Sequence, residues 1–192
     1  KDHRYCYSAG NRLAYVRAGV NLAQYGKVML DPVQVAFAKE WKPERTGSRM
    51  PLSQEERERI KNDLAQLAAD TIKDTLSRKD GYPVVEGPGP DVMRLSTALV
   101  DVYVTAPDVQ GPGRSRTYVM NAGRMTLVGE LRDSETGALC ARVLDAREAR
   151  GSMSMAWSSR VQNSAEARNA VTQWAQILRA RLDAVRAQPG SE

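Results

Sequence analysis

An α+β fold is predicted here: a mainly antiparallel sheet of about 4–5 strands, with two amphipathic helices packed on one face. Three observations predict it. Residues near 54–79 and near 163–187 repeat apolar side chains at helical spacing. Between them lie extended runs of alternating valine and leucine, broken by Gly/Pro and Asp/Ser/Gly turns. The order strand, helix, strands, helix then leaves one sheet face for both helices to cover.

The elements follow in chain order. Residues 1–24 show no clear period and read as an irregular segment docked on the domain, through Leu13, Tyr15 and Val16. The domain proper spans 25–187, and 188–192 form a loose tail. In Tyr25 to Phe37, Val28 and Leu30 alternate on one parity, while Val33, Val35 and Phe37 alternate on the other. Pro32 lies at the switch and lacks a ladder donor, so the strand should kink there. The polar stretch from Trp41 to Pro51 is a loop.

Ser53 and Glu56 form a capping box at the start of the first helix. Its apolar stripe is Ile60, Leu64, Leu67, Thr71 and Leu76, and Gly81 and Pro83 stop it. Gly87-Pro88-Gly89-Pro90 is a turn, since two prolines deprive it of the N–H donors a phosphate loop needs. Strands follow over 92–105 and 116–132, and the Asp133–Gly137 turn returns the chain over 138–148 as a hairpin. Residues 151–161 are a last strand or an ordered loop. Asn163-Ser164 is good N-cap chemistry for the final helix, whose stripe includes Trp174.

Composition excludes several functions. The 192 residues are 42% hydrophobic and 27% charged, a globular balance, and no run approaches the ~18 apolar residues of a spanning helix. One histidine, His3, and two cysteines, Cys6 and Cys140, leave little for histidine triads or zinc sites. No metal, cofactor or catalytic residue is expected. Lys+Arg of 28 against Asp+Glu of 23 gives +5, but the arginines are scattered among acids. A nucleic-acid binder needs a basic stripe, so nucleic acid is not expected as the main partner.

Three alternatives remain on the residues. The aromatics Tyr5, Tyr7 and Tyr15 are candidate partner contacts. Arg114 and Arg116, joined by Arg142 and Arg147, are candidate anion contacts. The strand acids Asp101 and Glu130 would serve a hydrolase. Cys6 and Cys140 either bridge the N-terminal segment to the hairpin in an oxidising compartment or remain thiols in a reducing one.

The chain resembles an uncharacterised family of Gram-negative lipoproteins, DUF3313, over roughly residues 13–186. The resemblance rests on the run Ala14-Tyr15-Val16-Arg17-Ala18-Gly19-Val20 and on Leu22 through Val33. It continues in Leu52-Ser53-Gln54-Glu55-Glu56, in Gly87 through Leu95, and in Trp174 through Leu182. It implies an exported periplasmic protein, anchored to the outer membrane by an N-terminal lipid, whose signal peptide and acylated cysteine are missing from this chain. Residue 1 is Lys rather than Met, which reads as a processed chain or a fragment. Tyr5 and Tyr7 flank Cys6 where a lipid-bearing cysteine wants small neighbours. The resemblance carries no catalytic residues. The function expected is a non-enzymatic binding or scaffolding module, with another envelope protein or a cell-wall or polysaccharide component as partner.

Overall fold

The computed structural model describes residues 4–9, 12–41, 51–105, 121–148 and 160–187. Among these residues, eight strands form one sheet, and two helices cover one of its faces. The strands are β1 (Arg4–Ala9), β2 (Arg12–Arg17), β3 (Lys27–Leu30), β4 (Gln34–Phe37), β5 (Val84–Val85), β6 (Val92–Thr105), β7 (Asn121–Asp133) and β8 (Leu139–Glu148). The helices are α1 (Gln54–Ser77) and α2 (Arg160–Ala187), with a short 3-10 turn at Leu22–Gln24. Across the sheet the order is β1-β2-β8-β7-β6-β3-β5, with β4 also pairing β6.

The expected α+β class holds, and two details need correction. The sheet has eight strands rather than four or five, and it is mixed. β3 runs parallel to β5 and β6, and β4 runs parallel to β6. The reason lies in the connection: α1 joins β4 to the following strands, and a chain returning across a helix arrives parallel. The kink at Pro32 is real. It divides the expected strand into β3 and β4, which pair with successive parts of β6 through Leu30↔Leu95 and Gln34↔Ala98.

The first 24 residues are also more regular than expected, since β1 and β2 form a hairpin whose second strand pairs with β8. The pattern was hard to read because Arg4–Ala9 alternates aromatic and small polar residues rather than apolar and charged ones. At the other end, α2 is already helical at Arg160, before Asn163-Ser164. Residues 116–120 of the expected strand, and 151–159, lie outside the described residues.

Strand parity places the core. Val28, Met93, Leu95, Leu99, Met125, Leu127 and Leu131 are buried on the helix side. α1 meets them with Ile60, Leu64, Ala68, Ile72 and Leu76, and α2 with Ala167, Val171, Trp174, Ala175 and Leu182. Each large side chain fully withdrawn from water contributes roughly 1.5–3 kcal/mol. The capping box forms as expected: Glu56 N–H donates to Ser53 Oγ (3.2 Å), and Ser53 N–H donates to Glu56 Oε2 (2.8 Å).

Among the described residues, the opposite face of the sheet carries no helix. α2 lies over β7 and the 3-10 turn, so β1 and β2 extend beyond it as a wing. Among the described residues, no helix is long and apolar enough to cross a membrane.

Candidate functional site

A cleft of about 330 Å³ opens at the foot of β2, between the Arg17–Gln24 connection and the β7–β8 turn. Two local structures shape it. On one side the chain leaves β2 through a turn at Ala18-Gly19, where Gly19 takes φ +73°, a left-handed conformation that costs glycine little. Asn21 Oδ1 then accepts from Ala23 N–H (3.0 Å) and starts the 3-10 turn that delivers Tyr25. On the other side Asp133 organises the hairpin turn. Its Oδ1 accepts from Glu135 N–H (3.1 Å), Thr136 N–H (2.7 Å) and Thr136 Oγ1 (2.8 Å).

Tyr25 joins the two sides. Its hydroxyl donates to Asp133 Oδ2 (2.9 Å) and lies 3.9 Å from Cys140 Sγ. Burial, reinforced by the Asp133 carboxylate, pushes the phenol well above its ordinary pKa. The bonds from Thr136, with that from Tyr25, hold Asp133 below the usual carboxylate range. Tyr25 therefore stays a neutral donor and Asp133 a charged acceptor, and neither is tuned to exchange a proton near neutral pH. The arrangement suits recognition through fixed hydrogen-bonding groups. Part of the run that carried the family resemblance, Arg17 through Val20 with Gln24 and Tyr25, lines this cleft.

Next to the cleft mouth, the open face holds a charged cluster. Arg142 donates from Nε to Glu130 Oε1 (2.7 Å) and from Nη2 to the same oxygen, while Arg132 donates to Oε2 from Nε (3.1 Å) and Nη2 (2.8 Å). Arg142, and then Arg132, lower the Glu130 pKa. On the helix side Asp145 is 5% exposed and accepts from Arg12 Nε (2.9 Å) and Nη2 (2.7 Å), with Arg147 at 3.6 Å. Arg147 also lies over the Trp174 ring at 5.0 Å.

The residues singled out in the sequence are dispersed. Arg114 and Arg116 lie outside the described residues, as does His3. Tyr5, Cys6 and Tyr7 occupy β1, opposite Val16, Tyr15 and Ala14. Tyr15 is half-buried on β2 beside Arg142. Cys140 is a buried free thiol under Tyr25, and the whole of β2 separates its strand from that of Cys6.

The two strand acids do not meet. Asp101 is exposed in a β6 irregularity at φ +52°, whereas Glu130 pairs with Ser96, five positions back along that strand. Glu130, held ionised by Arg142 and Arg132, is not poised as a general acid. The Gly87–Pro90 turn is tied to the hairpin, since Gly89 N–H donates to Ser134 Oγ and Ser134 Oγ donates to Gly89 O, both at 3.0 Å. Tyr25 and Asp133 are 108 residues apart, and no local spacing marks them as partners.

Fold and site together define a two-layer α+β module with a polar, hydrogen-bonded cleft at one end of its sheet. A family described as Protein of unknown function (DUF3313) matches residues 7–178, and the chain belongs to that family. No curated protein matches the sequence. Among solved structures, the chain is similar to a PelC dodecamer subunit from Paraburkholderia phytofirmans, at 16% identity and TM-score 0.45, covering 88% of this chain and 97% of that one. It is similar to a DUF330 protein from Xanthomonas campestris, at 13% identity and TM-score 0.45, covering 83% and 85%. It is also similar to a candidate lipoprotein from Caulobacter crescentus, at 12% identity and TM-score 0.40, covering 88% and 96%.

Proposed function

We propose that this protein is a non-enzymatic binding module of the Gram-negative envelope, held at the outer membrane by an N-terminal lipid and engaging another envelope component through its β1–β2 wing. The observation that carries the binding role is the wing's apolar surface. Leu13 is 49% exposed and Leu144 38%, and the two are direct cross-strand partners on the open face. Val16, 37% exposed, adds apolar surface on the other side of the same strand. Exposed leucines in adjoining positions, beside an edge strand, suit a protein contact made by strand addition or sheet packing. Tyr15 adds an amphipathic ring to the same face. The envelope address rests on the family resemblance.

The test uses the tagged full-length precursor in its native host. Fractionation should place it in the outer membrane; a wholly cytosolic protein would refute the address. A partner captured from detergent-solubilised envelopes should be lost with the Leu13→Asp/Leu144→Asp double variant at unchanged thermal midpoint. Capture unaffected by that variant would refute the wing as the contact.

A further inference from the structure

Among the described residues, the open face beside the cleft gathers more arginines than carboxylates. Tyr15 faces Arg142 across β2 and β8, so Arg17, two residues along β2, is a diagonal neighbour of Arg142 on the same open face. Such neighbours have Cα atoms about 7–8 Å apart, within reach of two long side chains. Arg142 in turn faces Glu130, and Arg132 reaches that carboxylate from the far side. Two guanidinium groups therefore hold Glu130, and the Arg17 side chain adjoins one of them. Among the described residues of this cluster, Arg17, Arg132 and Arg142 against Glu130 leave 3 − 1 = +2.

The donors are also underused. Arg142 gives Glu130 only Nε and Nη2, and Arg17 is exposed at the cleft rim. Asp133, by contrast, already accepts four hydrogen bonds from the protein itself.

We propose that this arginine cluster is a binding site for a phosphate-type oxyanion, with Arg17 and Arg142 as its principal donors. The planar fork of a guanidinium matches two oxygens of a phosphate, and a dianion would balance the local excess. Glu130 is the built-in competitor. It spreads the Arg132 and Arg142 forks into position, and it also occupies donors that the ligand would use.

That competition gives the test a sign which a purely structural cluster would not show. Inorganic phosphate is titrated into the protein at low ionic strength while arginine Nε–Hε resonances are followed by NMR, with sodium chloride of matched ionic strength as control. Arg17 and Arg142 should shift saturably with phosphate and not with chloride. Arg17→Gln should weaken binding by about tenfold, and Glu130→Gln should tighten it several-fold while lowering the thermal midpoint.

Co-sedimentation with phosphatidylcholine vesicles, with and without phosphatidylglycerol, separates the possible sources. Arg17-dependent retention only by the anionic vesicles identifies a lipid headgroup, and saturable free-phosphate binding without retention identifies a soluble phosphate. No saturable response in either arm, affinity unchanged in Arg17→Gln, or weaker binding in Glu130→Gln would overturn the proposal.

Discussion

Tyr25 shows what a single residue does in this fold. Only 3% of its surface is exposed, yet its hydroxyl reaches a carboxylate that organises a turn on the other side of the cleft. Removing that hydroxyl leaves the ring packed and Asp133 without one of its four donors. Tyr25→Phe should destabilise by roughly 1 kcal/mol in urea unfolding, the usual net worth of a hydrogen bond, with somewhat more where the acceptor is charged. The cysteines give a second residue-scale expectation. With β2 between their strands, Cys6 and Cys140 stand at least two strand spacings apart, more than roughly 9 Å, beyond the Cα separation a disulfide spans. Two thiols should react with an alkylating agent in denaturant without reductant, and a count of zero would show a bridge. Sequence revealed the side chains at this scale but not their partners, because Tyr25 meets Asp133 only after the sheet has formed.

At the scale of elements, legibility depended on whether the signal was local. Ser53 and Glu56 lie within one turn of each other, so the N-terminus of α1 could be read directly, and it forms as read. Its C-terminus is closed from a distance. Arg179 of α2 donates from Nη1 to Leu76 O (3.2 Å) and Arg78 O (2.6 Å), and from Nη2 to Lys79 O (3.0 Å). Asp183 fixes that guanidinium through Nε, and Arg186 stacks over Tyr82 at 4.0 Å. These bonds satisfy carbonyls that a helix end otherwise leaves to water.

Gly81 is what allows the approach. A Cβ there would stand 2.0 Å from Leu76 O and 2.2 Å from Arg179 Nη1. Gly81→Ala must therefore displace both backbone and guanidinium, and should cost roughly 3 kcal/mol in chemical denaturation, at the upper end for single substitutions. The glycine was legible as a helix stop, while its role as a port for Arg179 depends on a residue 98 positions later. The β1–β2 hairpin was missed for the opposite reason: no fully buried residue of β2 imposes an apolar alternation on it.

For the whole molecule, the composition was legible and its arrangement was not. The net charge of +5 read as dispersed in the sequence, yet the sheet gathers Arg132 of β7 and Arg142 of β8 around Glu130, with Arg17 of β2 beside Arg142. Periodicity identified the strands that pack beneath helices, since burial writes an alternation into them; it could not say that β3 and β4 would run parallel to β6. The ion pairs that result have a consequence for stability. Among the described residues, the carboxylates that shift all shift down: Glu130 through Arg142 and Arg132, Asp91 through Lys27, Asp133 through the Thr136 N–H, and Glu40 through its own backbone N–H and then Arg124. A carboxylate whose pKa is lower folded than unfolded adds stability that is complete above its unfolded pKa and lost as pH falls through its folded one. The thermal midpoint should thus be level above about pH 5 and fall progressively as pH approaches about 2–3. Glu130→Gln removes one of these groups, so its midpoint should be lower at neutral pH and should approach that of the parent as acid protonates Glu130 there. Thermal unfolding of both proteins across this range checks the sign: curves that stay parallel through the acid limb would mean that Glu130 is not ion-paired in solution.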